Sequence, residues 1–303
     1  MTSTIQVRDD AHWRKLRGQH VGGSEVAALF GEHAQITPFE LWHRKKGNIA
    51  EPDLSDNDRV LWGTILEPAI ANGVSAKTEW TVRKVRRYHS RLPELALGGS
   101  LDYEIIGNKR GPGVLEIKTA DWLVVRDWEN GEPPLSYELQ VQTYLALTGR
   151  TWGCMAVLVG GNDLRLFEYE RRPKTIEIIE SRVADFWKSI AEGKEPKPDF
   201  SRDGSTISKL HADVIAGKVI DLSASNRAPI LIDEYCAAQA EEKAAHKRKD
   251  AAKAELITLI GDAEGAVCGS AKVSCKTIAE TSISYVRRAY RDLRVNQKKA
   301  KAA

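Results

Sequence analysis

The stretch GGSLDYEIIGNKRGPGVLEIKTA, residues 98–120, carries the reading of the fold. The run ALGGSLDYEII at 96–106 and the run GVLEIKT at 113–119 are β-branched or apolar and bounded by Gly and Pro, which predicts two strands. If they pair through the turn at 108–113, Asp102 meets Glu116 across the ladder. Side chains alternate along a strand, so Glu116 and Lys118 share one face while Ile117 points into the core. Two carboxylates and an ammonium at one strand end suit a hard divalent cation and a phosphate. Mg²⁺ takes one or two carboxylates and keeps several waters, and a lysine adds a compact positive charge. An E-x-K triplet is also common on solvated sheet faces, so it carries this reading only in company.

That company lies on both sides. Gly98-Gly99-Ser100 precedes the aspartate and permits close approach of backbone to a ligand. In SYELQVQTYLALTG, predicted as one helix started by Ser136 and closed by Gly149, Gln140 and Tyr144 share a face at i, i+4. Upstream, Glu67 offers a third carboxylate on a helix predicted over 56–71, with a kink or restart just before Pro68.

Working outward, helical and strand patterns alternate from Trp13 to about Phe200, which predicts a mixed α/β or α+β domain. A short helix is expected over 23–31 with Ser24 as its cap, and another over Pro38–Lys46 with Gly47 beyond its end. WTVRKV at 80–85 reads as a strand, and 152–161 with 163–170 as a hairpin. A helix over 174–191 lines up Ile176, Ile179, Val183, Phe186, Trp187 and Ile190. Trp42 and Trp62 are expected in the core, and packing is the favoured role for Trp122 and Trp128, with base stacking as the other. The basic run at 83–91 suits either phosphate contacts or a solvated edge strand guarded by charge.

Three segments follow from this pattern: a domain over 1–200, a polar linker over 201–228, and an appendage over 229–303. The appendage opens with an Ala/Glu/Lys-rich helix to Ile260, ~48 Å long. Short strands are expected around AVCG, AKVSCKTI and SYVRRAYRDLRV, and the tail NQKKAKAA should fray.

Bulk properties narrow the function classes. A formal charge of +3 on 303 residues does not by itself argue for nucleic acid. The four cysteines (Cys154, Cys236, Cys268, Cys275) form no C-x-x-C pair, and the histidines form no H-x-x-x-H pattern, so zinc and disulfides are not expected. No 18-residue apolar run and no leader-like N-terminal segment is present, so a cytoplasmic protein without a membrane partner is expected.

The series WGTILE (62–67), GGSLD (98–102), LEIKT (115–119) and QVQTY (140–144) resembles the PD-(D/E)XK nucleases. Within them it resembles the YqaJ-type viral recombinase group, to which lambda exonuclease is also similar. The opening WRKLRGQHVGGSEV, with Arg17 seven positions before Ser24, also looks like that group. The resemblance covers about residues 13–200 and implies a restriction-endonuclease-like mixed sheet flanked by helices. It implies that Asp102, Glu116, Glu67 and the Ile117 carbonyl hold the metal, Mg²⁺ with Mn²⁺ as a substitute. Lys118 would orient or activate the attacking water, Gln140 would position that water or the lysine, and Tyr144 would pack beside the scissile phosphate. Arg17, Ser24 and Ser100 would cradle a DNA 5′-phosphate. The implied activity is hydrolysis of double-stranded DNA, 5′ to 3′, to 5′-mononucleotides in phage-type recombination. Its implied partners are DNA ends, a phage single-strand annealing protein, and further copies of the chain in a trimer. A single-strand or structure-selective nuclease, and a non-catalytic DNA-binding homologue, stand as the alternatives.

Overall fold

A computed structural model describes the chain except residues 1, 55, 92–94, 288–289 and 296–303. It divides into two compact units, Met1–Leu210 and His211–Ala303. The first ten residues of the polar linker read from composition thus fold with the first unit. Asp203 is buried there, accepting from the Thr37 hydroxyl at 2.5 Å, and a short helix follows at Gly204–Leu210.

The first unit holds β1 (Ser3–Gln6), α1 (Asp10–Gly18), β2 (Val21–Gly22), a 3₁₀ turn (Val26–Phe30), α2 (Pro38–Lys46), α3 (Asp58–Thr78), β3 (Thr81–Lys84), β4 (Arg87–Arg91) and β5 (Leu97–Ser100). Then come β6 (Tyr103–Ile106), β7 (Gly113–Ala120), α4 (Trp122–Arg126), α5 (Leu135–Thr148), β8 (Trp152–Val159), β9 (Asp163–Glu170), α6 (Pro173–Glu192) and α7 (Gly204–Leu210). Helix α2 starts where the sequence predicts: the Thr37 side chain accepts from the Glu40 N–H at 3.0 Å, Pro38 fills the first turn, and Gly47 closes the helix at φ 80°.

Two sheets form, in the orders β1-β4-β5-β2 and β3-β6-β7-β8-β9. The larger is mixed: β6 and β7 are antiparallel, β7 and β8 parallel, β8 and β9 antiparallel. Helices flank it, as expected. The parallel β7–β8 pair needs a crossover, which α4 and α5 supply. Alternation along β7 sorts its neighbours. Leu115 and Ile117 pack with Ile70, Ala71 and Val74 of α3, while Val114 joins the cluster holding Leu139, Val141 and Tyr144 of α5. Amphipathic α6 buries Ile176, Ile179, Val183 and Phe186 in that second cluster.

Several expectations change. The run 96–106 is two strands in different sheets, with Asp102 at a bend between them. Both halves have strand composition; their partners at 87–91 and 113–115 decide which sheet each joins. The segment 23–31 forms a 3₁₀ turn at Val26–Phe30 whose cap position is Glu25, so Ser24 caps no helix. Likewise Ser136 lies inside α5, whose cap position is Pro134. Helix α3 runs through Pro68 without a break. Pro68 and Thr64, whose carbonyl the proline leaves without an N–H, both lie on the exposed face, where water can serve that carbonyl. Trp62 is 56% exposed, because only the C-terminal half of α3 meets the sheet. Trp42 and Trp128 are buried, and Trp122 is exposed. The basic run at 83–91 splits between β3, an edge strand, and β4, which lies between β1 and β5.

The second unit contains α8 (Ala228–Ile260), none of whose residues is buried, and an antiparallel hairpin of β10 (Gly265–Cys268) and β11 (Ala271–Ser274). Among the described residues of 284–295 no strand forms, and the tail expected to fray lies outside the described residues.

Candidate active site

Glu116 stands on the α5 face of β7, 3% exposed. Its Oε1 accepts from Lys118 Nζ at 2.8 Å and from Gln140 Nε2 at 2.6 Å. Its Oε2 is buried and has no hydrogen-bond partner among the described residues. The antiparallel register pairs Tyr103 with Leu115, so Asp102 comes next to Glu116 as that register continues. Asp102 is fixed from both ends: its Oδ2 accepts from the Ile117 N–H at 3.0 Å, and its carbonyl from the Val85 N–H at 3.2 Å.

The electrostatics follow from this crowding. Burial, and then the Asp102 charge, lift the Glu116 carboxyl from 4.5 to about 8, with Lys118 opposing. Burial works against the charge on Lys118, yet Glu116 and Asp102 outweigh it and raise the ammonium above the ordinary lysine value. The pair of carboxylates is therefore short of positive charge, and one buried oxygen is unused.

Gln140 and Tyr144 stack on one face of α5, with Gln140 Nε2 donating to the Tyr144 hydroxyl at 3.1 Å. Two glycines make room for this tyrosine. A Cβ on Gly23 or Gly99 would stand 2.7 or 2.8 Å from its ring, so the close approach requires glycine at both places. Glu67 is held differently. It forms an ion pair with Lys84, and among the described residues no three His, Cys, Asp or Glu side chains gather as a metal cage. Lys84 was not singled out by the sequence reading beyond its place in the basic run. It also senses the charges of Asp102 and Glu116, which oppose the lowering of its pKa by burial.

The three residues expected to bind a phosphate come together. Arg17, Ser24 and Ser100 line one small pocket with Trp13, Gly22, Gly23, Tyr88, Gly99 and Tyr144. Arg17 stacks over the Trp13 ring at 4.8 Å and donates to Glu25 Oε1 at 3.1 Å. Glu25 is buried. Its Oε2 accepts from the Gly22 N–H and from Lys45 Nζ, both at 2.8 Å, and these donors hold its carboxyl below the ordinary value despite burial. Ser100 Oγ accepts from Trp13 Nε1 at 3.2 Å. Glu25 and Lys45 carry no signal of this role in the sequence, and Tyr88 stands there only within the basic run at 83–91.

The YqaJ-like viral recombinase domain matches residues 12–151, which include both clusters. The chain belongs to the YqaJ-like viral recombinase family. The uncharacterized protein YqaJ of Bacillus subtilis (strain 168) is 32% identical over 256 residues, 79% of this chain and 78% of that protein. Among solved structures, an alkaline exonuclease (LHK-Exo) from Laribacter hongkongensis is 22% identical, covering 65% of this chain and 99% of its own, with a TM-score of 0.46. A phage related exonuclease from Haemophilus somnus 129PT is 16% identical, covering 57% and 94%, with a TM-score of 0.42.

Proposed function

We propose that the chain is a Mg²⁺-dependent exonuclease that degrades double-stranded DNA from 5′ ends, releasing 5′-mononucleotides in phage-type homologous recombination. The observation that carries the reading is the buried Glu116 beside half-buried Asp102: two adjoining carboxylates, one with an unpartnered oxygen, next to Lys118. Oxygen ligands of this kind fit a hard divalent cation. Asp102, Glu116 and the Ile117 carbonyl would hold it, with Glu67 reaching it once released from Lys84. The chemistry such an ion supplies when bound is Lewis-acid activation of water and neutralisation of phosphate charge.

The remaining work falls to the chain. Lys118, held on Glu116 Oε1 at 2.8 Å, would orient the attacking water or offset charge on the scissile phosphate. Gln140 pins the same oxygen and fixes the rotamer of Glu116. Arg17, Ser24 and Ser100 present a guanidinium and two hydroxyls to a terminal phosphate. Water displaces the 3′-oxygen of the first nucleotide from the next phosphorus. The shortened strand keeps a 5′-phosphate, so each turn regenerates the group that the pocket reads. The 3′ overhang left behind suits a single-strand annealing protein as the next partner. No helix among the described residues is long and apolar enough to cross a membrane.

Digestion of linear duplex labelled at either end, with Mg²⁺ and with chelator, tests this. The expected result is metal-dependent release of 5′-mononucleotides, with 5′ label lost first. Full activity in chelator would overturn the metal assignment, earlier loss of 3′ label the polarity, and preference for single strands the duplex substrate.

A further inference from the structure

We propose that Tyr88 is a fourth contact of the Arg17 pocket, its phenolic O–H donating to the terminal phosphate; this rests on the anchor reading above. Tyr88 lies on β4, in register with Ser100 of β5 and with Ile5 of β1, so its place beside Ser100 is set by two strand ladders. The side chain is 1% exposed and lines the pocket with Arg17, Ser24 and Ser100. Its hydroxyl is buried and has no hydrogen-bond partner among the described residues. Buried hydroxyls are almost always bonded, so an orphan on the wall of a polar pocket points to a ligand.

The neighbouring polar atoms show which kind. Both oxygens of Glu25 are taken, Oε1 by Arg17 and Oε2 by the Gly22 N–H and Lys45. His20, beside Tyr88, has spent its nitrogens on Ser90 Oγ and the Leu16 carbonyl, each at 2.6 Å. Ser100 Oγ already accepts from Trp13, which leaves its own hydrogen free to donate. The pocket therefore holds unspent donors and committed acceptors. Burial and Glu25 keep the Tyr88 phenol protonated, adding a neutral donor to the set. Gly98 secures the position, since a Cβ there would meet the Tyr88 ring at 2.7 Å and its oxygen at 2.8 Å. A tetrahedral phosphate monoester, with several acceptor oxygens, fits such a wall.

The test uses the full chain in chelator, so that binding is read without turnover. Fluorescence anisotropy compares one duplex carrying a 5′-phosphate with the same duplex carrying a 5′-hydroxyl, for wild type, Tyr88→Phe and Arg17→Ala. Tyr88→Phe deletes one oxygen and keeps the ring. It should cut the phosphate preference by about tenfold, the scale of one hydrogen bond to a charged group. Because the preference is a ratio of two affinities, loss of active protein cancels from it. Adding inorganic phosphate should narrow the wild-type preference and leave Tyr88→Phe less affected. Undiminished preference in Tyr88→Phe, with Arg17→Ala impaired, overturns the role of Tyr88 and leaves the anchor standing. Equal affinity of the wild type for both ends overturns the anchor and this proposal together, while leaving the metal site untouched.

Discussion

The Glu116 site and the Arg17 pocket are neighbours of opposite chemistry. One gathers two carboxylates with an acceptor oxygen to spare; the other gathers a guanidinium and hydroxyls whose local acceptors are already committed. The first sits on the larger sheet and the second borders the smaller, and the chain passes between the sheets at 101–102. Tyr144 belongs to both, lining the pocket while accepting from Gln140, which in turn holds Glu116. On the proposed reading the two sites, joined through one tyrosine, divide the labour: the carboxylate site would serve chemistry and the Arg17 pocket position.

The largest effects should come from the carboxylate side. Asp102→Ala, Glu116→Gln and Lys118→Ala should each lower turnover at least ~100-fold, a loss of about 2.7 kcal/mol in barrier stabilisation. Each should remain folded by circular dichroism, since thinning a cluster of charges opens no apolar cavity. Unfolding in parallel with lost activity would make the cluster a structural ion pair and end the comparison. Next in size, Tyr144→Phe should lower both turnover and the preference for phosphorylated ends, by about tenfold or less, because one hydroxyl links the two sites. If only one property moves, the sites are independent and the bridge through Gln140 has no consequence.

How much of this was legible in the sequence differs between the sites in the same way. Glu116, Ile117 and Lys118 are consecutive residues on one strand, so period-two alternation places them with no tertiary knowledge. Gln140 and Tyr144 follow from helical spacing. The pocket draws on β2, β4, β5, α1 and α5, and no local period connects Tyr88 with Arg17 or Glu25 with Lys45. The turn of the chain at Asp102 was hidden for a related reason. Propensity marks 96–106 as extended, but the sheet that each half joins depends on partners elsewhere in the chain. Trp62 shows the converse: an aromatic at a helical position is expected in the core, yet the part of α3 that carries it does not reach the sheet.

The smallest effect is one of stability. In the metal-free protein the Glu116 carboxyl titrates at about 8 when folded, against 4.5 ordinarily, so the folded state holds the extra proton between those values. Stability should then fall as pH rises through that window, and Mg²⁺, which requires the ionised carboxylate, should restore it. Thermal midpoints across the window check this. Glu116→Gln, with no proton to lose, should flatten the slope, and an unchanged slope in that variant would assign the effect to another group.

The division of labour is tested most directly by initial rates of duplex degradation in Mg²⁺. Wild type, Glu116→Gln and Arg17→Ala are each given 5′-phosphorylated and 5′-hydroxyl ends of the same sequence. Wild type should favour the phosphorylated end. Glu116→Gln should lose rate on both by a common factor and keep the preference, whereas Arg17→Ala should lose the preference itself. A Glu116→Gln protein as active as wild type, or an Arg17→Ala protein whose preference is intact, would contradict the account.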